Sequence, residues 1–196
     1  MGRARSAPTA ARLHTVATLV LTVIGDDRTG LVDALAGPIA RHDGSWDRSH
    51  MARLAGKFAG IVVVTLADHH VDALNGELLS LRTSGLLDVS VAMAAPDEPD
   101  RSESMITLHL VGQDRPGIVS EIARALAERS VSIEELETTT TSAPMSAEPL
   151  FVATALLQLP AGADVEALRT SLEDIANELM VDLEVDSNPI VTDGRG

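Results

Sequence analysis

IGDDRTGLV fills residues 24–32, and VGQDRPGIV fills residues 111–119. The two stretches hold Gly-x-Asp-Arg-x-Gly in common register, at an offset of 87 residues (Ile24 against Val111). The match extends both ways from there. Upstream, Leu19, Leu21 and Val23 fall on Ile106, Leu108 and Leu110, an alternation that marks a half-buried strand. Downstream, Leu31, Val32, Leu35 and Ile39 fall on Ile118, Val119, Ile122 and Leu126. Spacings of three and four place these on one stripe of a helix. A nine-residue echo has become two units that each open strand, tight turn, helix.

Further along, the best offset becomes 94. Val71, Leu74, Leu78 and Leu81 fall on Val165, Leu168, Leu172 and Ile175, a second helical stripe. LLDVSVA (86–92) falls on MVDLEVD (180–186), a short closing strand. The change from 87 to 94 puts seven extra residues in the second unit, expected between Ile133 and Phe151, around TSAPMSAEP (141–149). The β-branched and apolar segments on either side, SIEELETTT and LFVATALLQL, read as strands. SWDRSHMARLAG and GIVVVTL stand at the matching places in the first unit. Each unit reads strand, helix, strand, strand, helix, strand, the split βαβ order. The expected fold class is therefore α+β, two ferredoxin-like βαββαβ sandwiches in tandem. The division is a disordered leader over 1–12, a first domain over 13–93, an acidic, proline-bearing linker over 94–104, a second domain over 105–187 and a tail over 188–196.

Composition narrows the function. A net charge of −14 opposes direct binding to nucleic acid or to an anionic membrane. Three aromatic residues (Trp46, Phe58 and Phe151) leave little on which to stack bases. The absence of cysteine removes disulfides and thiolate chemistry, and no apolar stretch is long enough to span a bilayer. A cytoplasmic location fits these features. IVVVTL and FVATALLQL do not alternate cleanly. In a sheet with helices on one face, that pattern predicts open faces or edges covered by the other unit or by another chain, and a homodimer or larger assembly is expected. Pro38 lies inside the first helical stripe, so that helix is expected to end early or bend.

The repeated turn admits two readings. As architecture, Asp27 and Asp114 cap the helices, Pro116 suits a first helical turn, and Gly30 and Gly117 permit close packing. As a site, N–H groups at a helix N-terminus bind a carboxylate, and the glycine leaves room for a small ligand.

DRPG (114–117) and DRTG (27–30), set between first strand and first helix of a split βαβ unit, resemble the turn of the ACT domain family. Among ACT proteins the layout is most similar to the tandem-ACT repressors of glycine cleavage, whose hairpins GSWDRSHMARLAGKFAGIVVV (44–64) and SAPMSAEPLF resemble. That resemblance implies a ligand site at Asp27, Arg28, Thr29, Gly30 and Leu31 and another at Asp114, Arg115, Pro116, Gly117 and Ile118. Thr29 departs from the family's proline. It implies a small amino acid, glycine or similar, as ligand, and a partner that is a regulator protein or an enzyme. It implies no cofactor and no catalysis: a repressor acting through an activator protein or, alternatively, a detached regulatory subunit of an amino-acid or one-carbon enzyme.

Other constellations are weaker. Six histidines invite a metal, but Asp68, His69 and His70 are sequence neighbours, which rarely aim at one ion, and His50 and His109 fall on strands. Asp26 pairs with Asp27 in the first unit only, since Gln113 replaces Asp26. No G-x-S-x-G elbow is present. Lys57, the single lysine, is expected on an exposed hairpin, and Trp46 in the core.

Overall fold

The computed structural model describes residues 15–95, 105–142, 149–160, 162–163, 165–179 and 181–186. The expected leader and tail, most of the linker and the centre of the TSAPMSAEP loop lie outside these residues. The chain divides into two compact units between residues 97 and 98.

The first unit runs β1 (Val16–Asp26), α1 (Leu31–Arg41), β2 (Ser45–Leu54), β3 (Lys57–Ala67), a single 3-10 turn (Asp68–His70), α2 (Val71–Thr83) and β4 (Asp88–Met93). The second runs β5 (Met105–Gln113), α3 (Ile118–Ala127), β6 (Ser132–Ser142), β7 (Pro149–Gln158), α4 (Val165–Leu179) and β8 (Val181–Asp186). Each unit is α+β. Its four-stranded antiparallel sheet has the order β2-β3-β1-β4 in the first and β6-β7-β5-β8 in the second.

The cores follow the two periodicities. Ala17, Leu19, Leu21 and Val23 point alternately inward from β1, Val62, Val64 and Leu66 from β3, and all are buried. Leu31, Leu35 and Ile39 of α1 and Leu74 and Leu78 of α2 close over them. In the second unit Ile106 and Leu108, Ala155 and Leu157, Leu126, Leu168 and Leu172 repeat the arrangement. Val63, Val152 and Leu156 point the other way and are half-buried. Trp46 packs on the edge of the first core and is partly buried, as expected.

Three expectations need correction. Helix α1 does not end early: it continues through Pro38 to Arg41. Pro38 is itself buried with Leu35 and Ile39, and burial of that last turn against the sheet offsets the hydrogen bond that proline removes. The seven extra residues are not all in the hairpin. Val62 pairs with Leu21 and Ala155 with Leu108, an offset of 93 on β3 and β7, so six lie in the β6–β7 hairpin. The offset reaches 94 at Leu74 and Leu168, so the seventh falls after β7, where it lengthens the approach to α4. The third correction concerns the helix caps and belongs to the turn.

Candidate ligand-binding turns

Neither aspartate caps a helix. The N-cap residues are Gly30 (φ 93°) and Gly117 (φ 92°), both left-handed, and neither helix start has a side-chain cap. A left-handed residue between the aspartate and the helix turns the chain, so Asp27 and Asp114 stand three residues before the cap. Pro116 likewise precedes the cap instead of occupying the first helical position. The repeated glycine is thus required by its φ, which L side chains adopt only with strain. There is also open space beside it. A Cβ on Gly30 would meet nothing within 4 Å, and one on Gly117 would meet only Glu121 Oε1, at 3.8 Å.

The aspartates instead tie the turn to the neighbouring hairpin through their backbone. Asp27 N–H donates to Gly56 O (2.9 Å) and Asp114 N–H to Pro149 O (3.0 Å). Leu31 and Ile118, the first residues of the helices, are buried and anchor the turn from below. Asp27, Arg28, Thr29 and Gly30 are exposed, as are Asp114, Pro116 and Gly117; Arg115 is half-buried. In each unit the structure gathers the five residues expected at the site into one turn at the strand–helix junction.

Two glycines that sequence reading underused set the position of this turn. A Cβ on Gly25 would lie 2.7 Å from Leu86 O, and one on Gly112 would lie 2.4 Å from Val181 Cγ1. The strand end therefore passes against the turn into β4, or against the start of β8, at a distance only glycine allows. Both glycines stand first in the Gly-x-Asp-Arg-x-Gly repeat, which was the available signal.

The charged shells differ. Around the first turn, Lys57 pairs with Asp26, Arg53 Nη1 meets Asp27 Oδ2 at 3.1 Å, and Arg28 Nη2 donates to Gly85 O at 2.9 Å. The Lys57 hydrogen bond and charge hold the Asp26 carboxyl below its ordinary range. Around the second turn, Arg115 grips Glu121 with both nitrogens, Nη1–Oε1 at 3.0 Å and Nη2–Oε2 at 2.5 Å. That bond lowers the Glu121 carboxyl pKa and raises that of the Arg115 guanidinium. Lys57 is exposed on the hairpin, as expected. Arg53, Lys57 and Glu121 were not among the expected site residues. The first two reach the turn only through the strand register, whereas Glu121 lies one helical turn past Gly117 and was open to a helical-wheel reading.

The described histidines form no metal centre. His70 Nδ1 donates to His42 O (2.8 Å), His42 Nε2 meets Glu77 Oε1 (3.0 Å), and His109 Nδ1 meets Thr154 Oγ1 (3.2 Å). Among the described residues no three ligating side chains converge as for a metal ion, and no helix is long and apolar enough to cross a membrane.

Known structures share this architecture. A protein of unknown function from Galdieria sulphuraria superposes with a TM-score of 0.77 at 28% identity, covering 89% of this chain and 100% of its own. A "putative glycine cleavage system transcriptional repressor" superposes with a TM-score of 0.67 at 16% identity, covering 88% and 99%, which establishes a common fold. No curated protein matches the sequence. The ACT domain family profile matches residues 17–92 and again residues 104–186, one span on each sandwich. With both spans folded as βαββαβ units around a repeated Asp-Arg-x-Gly turn, the chain belongs to the ACT domain family.

Proposed function

We propose that this tandem ACT protein is an amino-acid-responsive regulator that acts through protein contacts in the cytoplasm. The observation that carries the reading is the recurrence, at the same strand–helix junction of both units, of an arginine beside a left-handed glycine with open space next to it. A guanidinium and the backbone N–H groups of a helix start suit a carboxylate, and a site without side-chain bulk suits a small amino acid such as glycine. The likeness to tandem-ACT repressors of glycine cleavage supports repression through a DNA-binding activator protein. The net charge of −14 supports the absence of direct DNA contact. Half-buried apolar residues on the second face of each sheet support a homodimer. The test is thermal unfolding with glycine, serine and the other common amino acids. A ligand at a hundred times its dissociation constant adds about 2.7 kcal/mol, on the order of 5–10 °C for a chain of this size. The shift is expected to vanish in Arg28→Ala/Arg115→Ala. These side chains are better probes than the glycines, whose φ would mix backbone strain with loss of binding. No shift with any amino acid at millimolar concentration overturns the reading.

A further inference from the structure

The two turns are not equivalent. In the second unit the arginine already holds a carboxylate: Glu121 takes both guanidinium nitrogens of Arg115 from within the same chain. In the first unit, the residue one helical turn past the glycine is Ala34, which has no carboxylate to offer. Arg28 donates there to a neutral carbonyl, Gly85 O. The two acids beside Arg28 are engaged elsewhere, Asp26 by Lys57 and Asp27 by Arg53. The register puts Thr140 and Leu150 in place of those hairpin cations in the second unit.

We infer that Glu121 is an internal carboxylate that keeps the second turn closed, so that the first turn is the open carboxylate site and the second admits a ligand only when Arg115 leaves Glu121. This rests on the reading of the turns as amino-acid sites. An incoming carboxylate at the second turn must replace a two-point charge-assisted pair with one of the same kind, so exchange returns little net gain. At the first turn it replaces a single bond to a neutral oxygen. The device also responds to acid. Glu121 faces the cations of Arg115 and Arg124, which both favour its charged form, so it protonates and releases Arg115 only once pH falls below the usual carboxylate range.

Two measurements on the full chain test this. Phenylglyoxal labelling mapped by peptide mass reads the guanidinium groups without any ligand. Arg28 is expected to label readily and Arg115 slowly, with Glu121→Gln bringing Arg115 to the rate of Arg28. Equal rates in the unsubstituted protein, or no change in Glu121→Gln, overturn the closed pair. Calorimetry with glycine then reads the consequence in an Arg28→Ala background, where only the second turn remains. Adding Glu121→Gln is expected to tighten glycine binding about two- to fivefold, the range an exposed ion pair supports. Glu128→Gln, which removes an acid elsewhere near α3, should leave it unchanged. Equal tightening by both variants reduces the effect to general charge and overturns the gate. Expected labelling with no heat from glycine, serine or any other common amino acid in any variant defeats the amino-acid reading itself and the gate with it.

Discussion

The first unit fills with its own side chains what the second leaves empty. Trp46 pairs across the sheet with Val64, and Ile133 occupies the matching place opposite Leu157; a β-bulge follows each. Three positions beyond the bulge, Met51 and Thr138 correspond in the same way. Trp46 and Met51 pack on the first core. Ile133 and Thr138 are smaller, and a partly open groove of ≈30 Å³, whose wall includes the exposed Val119, Ile133, Leu136 and Thr138, lies between α3 and the sheet. At the turn the contrast reverses: there the second unit supplies its own partner, Glu121 to Arg115, and the first does not. Two copies of one fold have diverged in opposite senses at core and turn. Fold constraints leave single positions free to vary so long as strand register and helix stripe are kept.

Matched core truncations challenge the comparison most strongly. Leu21 and Leu108 are equivalent and both buried, but only Leu108 lies at the floor of the groove. Leu21→Ala is expected to lower stability by about 3–5 kcal/mol and Leu108→Ala by about 2–3 kcal/mol, because neighbours beside an existing void collapse into the new one more readily. Urea unfolding of both variants measures the difference, and a larger loss for Leu108→Ala would contradict a loosely packed second unit.

The close-approach glycines give the next largest effect. Gly25→Ala and Gly112→Ala should each destabilise by about 1–3 kcal/mol through overpacking. The obstacles differ in kind: the Leu86 carbonyl is backbone, whereas the Val181 methyl is side chain. Val181→Ala should therefore recover part of the loss in Gly112→Ala, since it removes Cγ1 but leaves the Val181 Cβ at 3.0 Å. Leu87→Ala should recover little in Gly25→Ala, since it leaves the carbonyl in place. Thermal unfolding of the two double variants checks this, and equal rescue would mean that the two contacts are the same.

The smallest effect is electrostatic. Glu77 of α2 receives Arg41 Nη2 at 2.6 Å and His42 Nε2 at 3.0 Å, and the Arg41 hydrogen bond is the main cause that lowers its carboxyl pKa. A carboxyl depressed in the folded state stabilises above its ordinary pKa, about 4.3 for glutamate. That contribution is lost as pH falls through the lower folded value. Glu77→Gln should therefore lower Tm slightly at pH 7 and leave it unchanged near pH 2. In the second unit Ser171 stands in place of Glu77, so no counterpart arises there. A Tm difference that persists undiminished in acid would show that the effect is packing rather than charge.

Much of this was legible before any coordinates. The offset repeat placed every strand and helix, because apolar periodicities of two and 3.6 are imposed locally by backbone geometry. It also found the turn, since Asp-Arg-x-Gly is short and its glycines stand where the chain must reverse. The error over the caps arose because an aspartate before a helical stripe resembles an N-cap in sequence, and only the left-handed φ at Gly30 and Gly117 shows that the helix starts three residues later. The early end expected at Pro38 came from weighing one lost hydrogen bond without the burial that offsets it.

The sequence by itself determined two ACT units, their element order, the residues of the turn and the residues that face inward, all consequences of patterns within a few residues. The tertiary structure alone decided which charges meet at each turn. Arg53 and Lys57 reach Asp27 and Asp26 because strand register carries the hairpin tip there, and Arg115 meets Glu121 because the left-handed glycine turns the chain back over its own helix. Contacts between residues distant along the chain are set by packing the whole sheet, and no local pattern encodes them, whereas the fold-back at Gly117 brings together two residues only six apart.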